Sequence, residues 1–248
     1  MHLVALTALG VGGATVLGAL IGFVIGKVPH KYNDAILGFA AGVMLAASFV
    51  GLISPAMERG GVWVTVIGLF FGAAVLNLMD KFTPHLHHLA GMDQEAHSNN
   101  AALQKVLLFV IAIAIHNLPE GVAAGVSFGT EDTAAALTVA AGIALQNVPE
   151  GMVIIGPLLT AGVSRRRTFV IALATGLVEV VGTFLGYFAV HLVSSLLPFA
   201  LAFAGGTMLY VISDEMIPET HAHGYERMAT FSLLAGIAVM LIMDFYIG

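Results

Sequence analysis

Residues 105–129 read KVLLFVIAIAIHNLPEGVAAGVSFG, an apolar run interrupted at its middle by the hexapeptide HNLPEG, 116–121. Thirty residues later the chain nearly repeats itself with QNVPEG, 146–151, inside a second apolar run. Each hexapeptide places a glutamate and a helix-bending proline within a segment long enough to cross a membrane. The pair therefore predicts two membrane helices that carry polar groups near the midplane of the bilayer.

The composition of the whole chain extends this prediction to a membrane protein. Hydrophobic residues make up 58% of the chain and charged residues 10%, against about 25% charged residues in a soluble domain. Eight segments reach the length of about 20 mostly apolar residues that a membrane helix needs. They lie near 3–26, 34–57, 62–79, 104–128, 134–159, 168–193, 197–220 and 226–247. We predict an all-α integral membrane protein of eight transmembrane helices, forming one domain over residues 1–248.

The basic residues predict the orientation in the membrane, because Lys and Arg collect in cytoplasmic loops. Eight of the nine fall on one side of the eight-segment topology. These are Lys27, Lys31, Lys81, Lys105, Arg165, Arg166, Arg167 and Arg227. We expect both termini outside the cytoplasm, in the plasma (inner) membrane. The loop near 80–103, with His85, His87, His88 and His97, would then be cytoplasmic, and nucleic acid is not an expected partner.

Two similar strings suggest an internal repeat. FAAGVML, 39–45, lies in the second segment and FAGGTML, 203–209, in the seventh. In the charge-based topology these two segments run in opposite directions, as do the fourth and fifth. We therefore predict that helices 1–3 and 6–8 are inverted repeats around a central pair of helices 4 and 5, a common plan among transporters.

Glycines four residues apart predict close helix packing in the first and sixth segments. Gly18, Gly22 and Gly26 form two such steps, and Gly182 and Gly186 form another. Small residues at this spacing let helix backbones approach closely, because lipid gives helices little hydrophobic drive to associate.

Buried acidic residues point to a bound cation. His116 and Glu120 are four residues apart and share a helix face, as do Gln146 and Glu150. Asn117 and Asn147 add amide oxygens beside them. Further carboxylates fall within or near the membrane segments, with no Lys or Arg at their depth: Glu179, Asp214, Glu215 and Asp244. Ionisable groups in the membrane are costly and mark functional sites, so these helices predict a divalent metal site.

The ligand types leave the metal open and give no sign of an organic cofactor. One imidazole with several oxygens suits Zn(II), Fe(II), Mn(II) and Cd(II). Met44 in the second segment is the one soft ligand considered nearby. The chain has no cysteines, which excludes thiolate ligands and disulfides.

The two hexapeptides, the glutamate of the sixth segment and the eight helices resemble the ZIP family of divalent metal transporters, in particular its GufA-like branch. The resemblance covers essentially the whole chain. It implies import of Zn(II) and related ions into the cytoplasm through a site between helices 4 and 5. It leaves open whether the protein forms a homodimer in the bilayer.

Roles for single residues follow from this resemblance. It makes His116, Glu120, Gln146 and Glu150 the core ligands, with Met44 beside them. It places Asn117, Asn147 and Glu179 at a second, adjacent site. Glu215 and Asp244 would lie along the exit path, with Asp214 beside them, while Leu37, Ala40 and Ala47 would help close the outer side.

Two alternatives to a transporter share a metal site. An intramembrane metalloenzyme would need a catalytic base and an open coordination position, but HExxH is absent and no nucleophile stands beside a base. A metal-sensing membrane protein would bind the ion without moving it. We expect a transporter rather than an enzyme.

Overall fold

The fold was described from a computed structural model of the chain, which covers residues 1–26, 28–89, 101–130 and 132–247, with side chains except those of 80–89 and 101–113. These residues form helices and connecting turns, with no strand among them. The α-helices are α1 (His2–Ile25), α2 (His30–Ala47), α3 (Ser54–Leu89), α4 (Ala101–Ser127), α5 (Thr133–Thr160), α6 (Arg165–Leu192), α7 (Leu197–Val211), α8 (Ile217–Thr220) and α9 (Glu226–Ile247). The prediction of an all-helical protein is confirmed.

Short stretches of π-helix connect α2 to α3 and α7 to α8. The first π segment is Ser48–Ile53 and the second is Ile212–Met216. Such stretches are rare and are often found at functional sites. Each begins three residues after the end of an FAxGxML string, so the two helices that share this sequence also share an irregularity beyond it.

Six stretches of the described residues are long and apolar enough to cross a membrane. They are His2–Ile25, His30–Met79, Thr133–Thr160, Arg165–Leu192, Ser194–Thr220 and Glu226–Ile247. Helix α4 has 27 residues and a length of about 40 Å, which also exceeds the thickness of a bilayer core. These helices make the chain an integral membrane protein.

One of the six stretches, His30–Met79, contains both the second and the third predicted segments. Its 50 residues would extend about 75 Å as one helix, more than twice the core of a bilayer. Gly61 interrupts it with φ 76° and ψ 172°, a conformation that glycine adopts at little cost. The break separates the two segments where the sequence places a loop.

The predicted loop near 80–103 is shorter than expected. Helix α3 continues to Leu89 and α4 begins at Ala101, so only 90–100 separate the two helices. The histidines at 85, 87 and 88 lie on the helical part without described side chains. The side chains of those residues, and His97, lie outside the part of the chain that the structure describes.

The helices pack in two groups. In the first group α1 packs on α5 and α6, and α4 packs on α6; in the second, α2 packs on α9 and α3 on α7. Helices α4 and α5 contact each other and also join the groups, because α5 packs on α2 and α4 on α7. The two helices with the polar hexapeptides therefore lie at the centre of the molecule.

Close glycine contacts hold the first group together, as predicted for four of the five glycines. A Cβ on Gly18 would lie 2.1 Å from the Val148 carbonyl oxygen, and one on Gly186 would lie 2.4 Å from that of Val122. Gly22 and Gly182 are also crowded, against α5 and α4 respectively. The prediction was wrong for Gly26, which has nothing within 4 Å and ends α1 with φ 73°.

Candidate metal centre

The two hexapeptides lie inside continuous helices. Pro119 falls within α4 and Pro149 within α5, and both helices continue through their prolines. Proline removes one backbone hydrogen bond, and such a defect is tolerated at this depth where it is buried in protein or lines a cavity. The polar side chains around the two prolines therefore lie where their burial costs the most free energy, so their presence there indicates a function.

Three of the four predicted core ligands are removed from solvent. His116, Glu120 and Gln146 are buried, and Glu150 is half-buried at the wall of a cavity. Neither carboxylate oxygen of Glu120 has a hydrogen bond of normal geometry among the described residues, and the same holds for the amide atoms of Gln146 beside it. Buried polar atoms without partners are costly. A cation would supply the missing partner.

His116 contacts the second π segment. Its Nε2 lies 2.7 Å from Oε1 of Glu215. The resemblance places Glu215 on the exit path, whereas the structure brings its carboxylate against the predicted imidazole ligand. An imidazole nitrogen and a carboxylate oxygen this close could both reach one metal ion.

Glu179 is surrounded by hydrogen-bond donors from three other helices. Its Oε1 accepts from Thr15 Oγ1 at 2.6 Å and from Asn117 Nδ2 at 2.5 Å, and its Oε2 accepts from Asn147 Nδ2. Each of these groups is buried. One carboxylate thus joins α1, α4, α5 and α6, and it is the best-partnered of the predicted acidic ligands.

The two asparagines are held by both hydrogens of their amide groups. Besides the bond to Glu179, Asn117 Nδ2 donates to the carbonyl of Thr175 at 3.3 Å, and Asn147 Nδ2 donates to the carbonyl of Val11 at 3.2 Å. This leaves Oδ1 of each asparagine buried and without a hydrogen bond in the described part of the chain. Both amides therefore offer fixed, unpartnered oxygens.

A cavity of about 460 Å³ connects the midplane ligands to one end of the molecule. Acidic groups line it at several depths, and His116 and Glu120 lie among them. Its walls are formed by Leu37, His116, Glu120, Glu150, Val153, Val211, Asp214, Glu215, Met216, Pro218, Glu219 and Ala222. The cavity therefore reaches from His116 and Glu120 to the exposed residues Glu219 and Ala222.

The remaining predicted residues lie at varied positions. Met44 and Ala40 are fully buried in the main apolar core, and Ala47 packs near Met240 of α9. Leu37 and the exposed Asp214 line the cavity. Asp244 is half-buried in α9 and is not one of the residues that line the cavity.

Three His, Asp or Glu side chains do not come together closely enough to hold one ion within the residues that the structure describes. The nearest approach is the pair His116 and Glu215. A complete coordination shell would therefore require Glu120 or Glu150 to move toward this pair, or amide oxygens and water to complete it. The chemistry of the set is that of a hard or borderline divalent cation.

Thr15 is a functional candidate that the sequence motifs did not single out. It is one hydroxyl in an apolar helix, where threonine is unremarkable. FAAGVML and FAGGTML are offset by 164 positions, and the same offset relates Thr15 to Glu179. This offset is the feature of the sequence that could have indicated Thr15.

An all-helical membrane protein with buried, unpartnered ligand atoms at the end of an acidic cavity has the form of a cation transporter. Comparison with known families identifies it further. Residues 91–244 match the family model described as "ZIP Zinc transporter".

Similar proteins cover nearly the whole chain. It is 40% identical to the zinc transporter GufA of Myxococcus xanthus over 96% of each chain, and 39% identical to the zinc transporter ZIPB of Bordetella bronchiseptica over 95% of this chain and 78% of that one. It is 31% identical to the zinc transporter ZIP11 of Homo sapiens over 95% and 94% of the two chains. The chain belongs to the ZIP family of zinc transporters, which are not enzymes, and the resemblance to its GufA-like branch is confirmed.

Proposed function

We propose that the protein carries Zn²⁺ through the membrane into the cytoplasm, using a site between α4 and α5. The observation that carries the proposal is the pair His116 and Glu215 next to the unpartnered, buried carboxylate of Glu120. These groups lie in a membrane protein with a cavity that leads to them. A hydrated ion needs both a route and ligands that replace its water, and a site that is too tight would not release it.

Within this proposal His116, Glu120, Gln146 and Glu150 are the central ligands, and Glu215 is the first group on the way out. Zn²⁺ is the expected cargo, since the relatives are named zinc transporters. The same ligand types would accept Fe²⁺, Mn²⁺ and Cd²⁺.

We assign Glu179 a positioning role. Its two oxygens already accept three hydrogen bonds, and an ion would have to displace at least one buried donor to bind there. Through those bonds it fixes Asn117 and Asn147 with their Oδ1 atoms directed elsewhere and unpartnered in the described part of the chain. The asparagines would thus be the oxygen ligands of an adjacent position, with Glu179 and Thr15 as their support.

We propose that the chain has eight membrane crossings arranged as an inverted repeat. The glycine contacts support it, because they occur in pairs whose members are 164 positions apart. A Cβ on Gly42 would meet the carbonyl of Leu233 at 2.0 Å, and one on Gly206 would meet that of Leu69 at 2.1 Å. Gly206 is 164 positions after Gly42, and Leu69 is 164 positions before Leu233, so the second contact is the counterpart of the first.

The polar contacts follow the same rule. Asn117 donates to the Thr175 carbonyl and Asn147 to the Val11 carbonyl. The acceptors are again 164 positions apart, and the donors are separated by the 30 positions that separate the hexapeptides. The symmetry fails where Thr15 meets Glu179, because a hydroxyl donor occupies one position and a carboxylate acceptor the other.

The cavity would open to the cytoplasm. Its outer end is formed by Pro218, Glu219 and Ala222, in the part of the chain that leads to Arg227. That end falls on the side where Lys and Arg collect, which is the cytoplasmic side. With both termini on the opposite side, the structure would be inward-open, and transport would require the opposite end to open in turn.

Uptake of Zn²⁺ into liposomes tests the proposal. We expect the double variant Glu120→Ala/Glu150→Ala to lose uptake, while Glu58→Gln, an exposed carboxylate outside the cavity, retains it. A panel of Zn²⁺, Fe²⁺, Mn²⁺ and Cd²⁺ with and without a pH gradient measures selectivity and proton coupling. Unchanged uptake in the double variant would refute the site, and Zn²⁺ binding without flux would favour a metal sensor.

A further inference from the structure

A second group of metal-ligating side chains lies at the mouth of the cavity and has no part in the midplane site. Starting at Glu215, which touches His116, ligand-type residues follow every four positions: Glu219 and then His223. Glu219 lines the cavity. His223 Nε2 lies 4.0 Å from Glu219 Oε1. The row formed by Glu215, Glu219 and His223 therefore extends from the midplane ligands toward the mouth of the cavity.

Asp34 of α2 approaches this row from the opposite side. It is fully buried, and its Oδ1 lies 3.0 Å from His223 Nδ1. Its Oδ2 has no hydrogen bond among the described residues. The ring of His30 stacks on that of His223, with centroids 4.2 Å apart. Burying a carboxylate whose ionisable partner is a histidine costs free energy, so its presence here indicates a function.

The contact with Asp34 determines what the His223 ring can do. A carboxylate accepts hydrogen bonds, so Nδ1 carries the hydrogen and the lone pair of the neutral ring is on Nε2. Metal-binding histidines characteristically donate their other N–H to a carboxylate or carbonyl, which fixes the tautomer and the ring orientation. Here Nε2 points toward Glu219, on the cavity side.

The separation of Nε2 and the Glu219 carboxylate fits two ligands of one ion. At 4.0 Å it is too long for a hydrogen bond. Tetrahedral zinc, with bonds of about 2.0–2.2 Å, places neighbouring ligand atoms ~3.4 Å apart. The Glu219 side chain is 54% exposed, so a rotation can supply the small difference.

We propose that Glu219 and His223 form a low-affinity divalent-cation site at the mouth of the cavity, with Asp34 orienting the imidazole. Two protein ligands completed by water bind an ion weakly, which suits a station from which the ion is released. The cargo and the direction of travel rest on the proposed function, whereas the binding site itself does not.

Zn²⁺ binding to purified full-length protein tests the proposal. In a Glu120→Gln/Glu150→Gln background, which removes midplane ligands, equilibrium dialysis should show about one weakly bound Zn²⁺. Adding Glu219→Gln or His223→Gln should weaken that binding about tenfold or more. Glu226→Gln, an exposed acid in the first turn of α9, should leave it unchanged. Equal binding in all of these proteins would overturn the proposal.

The Asp34→Asn variant tests whether Asp34 orients the His223 ring for metal binding or only holds α2 against the segment that contains His223. We expect it to weaken Zn²⁺ binding about 10- to 100-fold, as loss of such an outer partner usually does. If Asp34 has only the structural role, the variant should have a lower melting temperature and unchanged Zn²⁺ binding. Glu219→Gln guards against misfolding, because this exposed residue should alter binding without altering the melting temperature.

Flux measurements distinguish failure of this site from failure of the proposed function. If liposome uptake is absent in the unmodified protein but binding at Glu219 and His223 persists, the site stands and the transport proposal fails. If uptake occurs and the single variants change neither binding nor uptake, transport stands and the mouth site fails.

Discussion

The two π segments lie at matching points of two helices, yet their surroundings are opposite. Positions 50–52 of the first segment are Val, Gly and Leu, and they correspond to Asp, Glu and Met at 214–216 of the second. Leu52 is fully buried and Gly51 packs against Val139, whereas 214–216 line the cavity. The same backbone irregularity is therefore packed closed at one end and open at the other.

In the inverted repeat that we propose, two similar backbones would carry two different ends. The shared helix sequences and glycine contacts fix similar backbones. Residues that differ between the two segments, such as Gly51 and Glu215, make one end apolar and the other acidic. Exchange of the two states would give an ion access to opposite sides in turn, which is the behaviour expected of proteins with this plan.

Thiol labelling should give the largest contrast between the two ends. The chain has no cysteine, so each single variant carries one thiol. Asp214→Cys is exposed and lines the cavity, whereas Leu52→Cys is buried. A buried thiol reacts only after local opening, so we expect it to react about 100-fold more slowly with a polar reagent. Equal rates would mean that both ends are open to the same extent.

Removing the acidic contact should reduce transport without affecting folding. We expect Glu215→Ala to lower kcat/KM for Zn²⁺ uptake about tenfold, equivalent to ~1.4 kcal/mol, because His116 loses the group 2.7 Å away. Initial rates in liposomes measure this. Normal uptake in the variant would show that the contact plays no part in the path.

Crowding the closed end should affect stability first. A Cβ on Gly51 would lie 2.2 Å from Val139 Cγ2, and overpacking costs about 1–3 kcal/mol. We expect Gly51→Ala to lower the melting temperature by several degrees. Gly10→Ala, where nothing lies within 4 Å of the added carbon, is the matched control. An unchanged melting temperature would argue against tight packing at this end.

The smallest effect concerns the centre between the two ends. Thr15→Val keeps the shape of the side chain but removes one donor to Glu179, a loss of about 1 kcal/mol. We expect a several-fold rise in KM for Zn²⁺ with little change in kcat, because the asparagine oxygens become less well fixed. Thr15→Ser should restore the KM. A change in melting temperature alone would indicate a structural hydroxyl.

The polar hexapeptides predicted much of the candidate site. Paired polar residues four apart in a membrane segment have few other uses, so the order of residues along the chain led to the prediction that His116, Glu120 and their partners hold the ion. Glu215 was recognised too, but its contact with His116 depends on how α7 and the second π segment meet α4. Spacing along one helix cannot give that distance.

The sequence by itself determined the membrane environment, the helices and the family, and it predicted candidate ligands for a cation, because composition, periodicity and short motifs are local. Tertiary structure decided that three donors surround Glu179, that Asp34 lies behind His223, and that one end is open. These depend on helices far apart in the chain, such as α1 and α6, meeting at glycine contacts only a few ångströms wide.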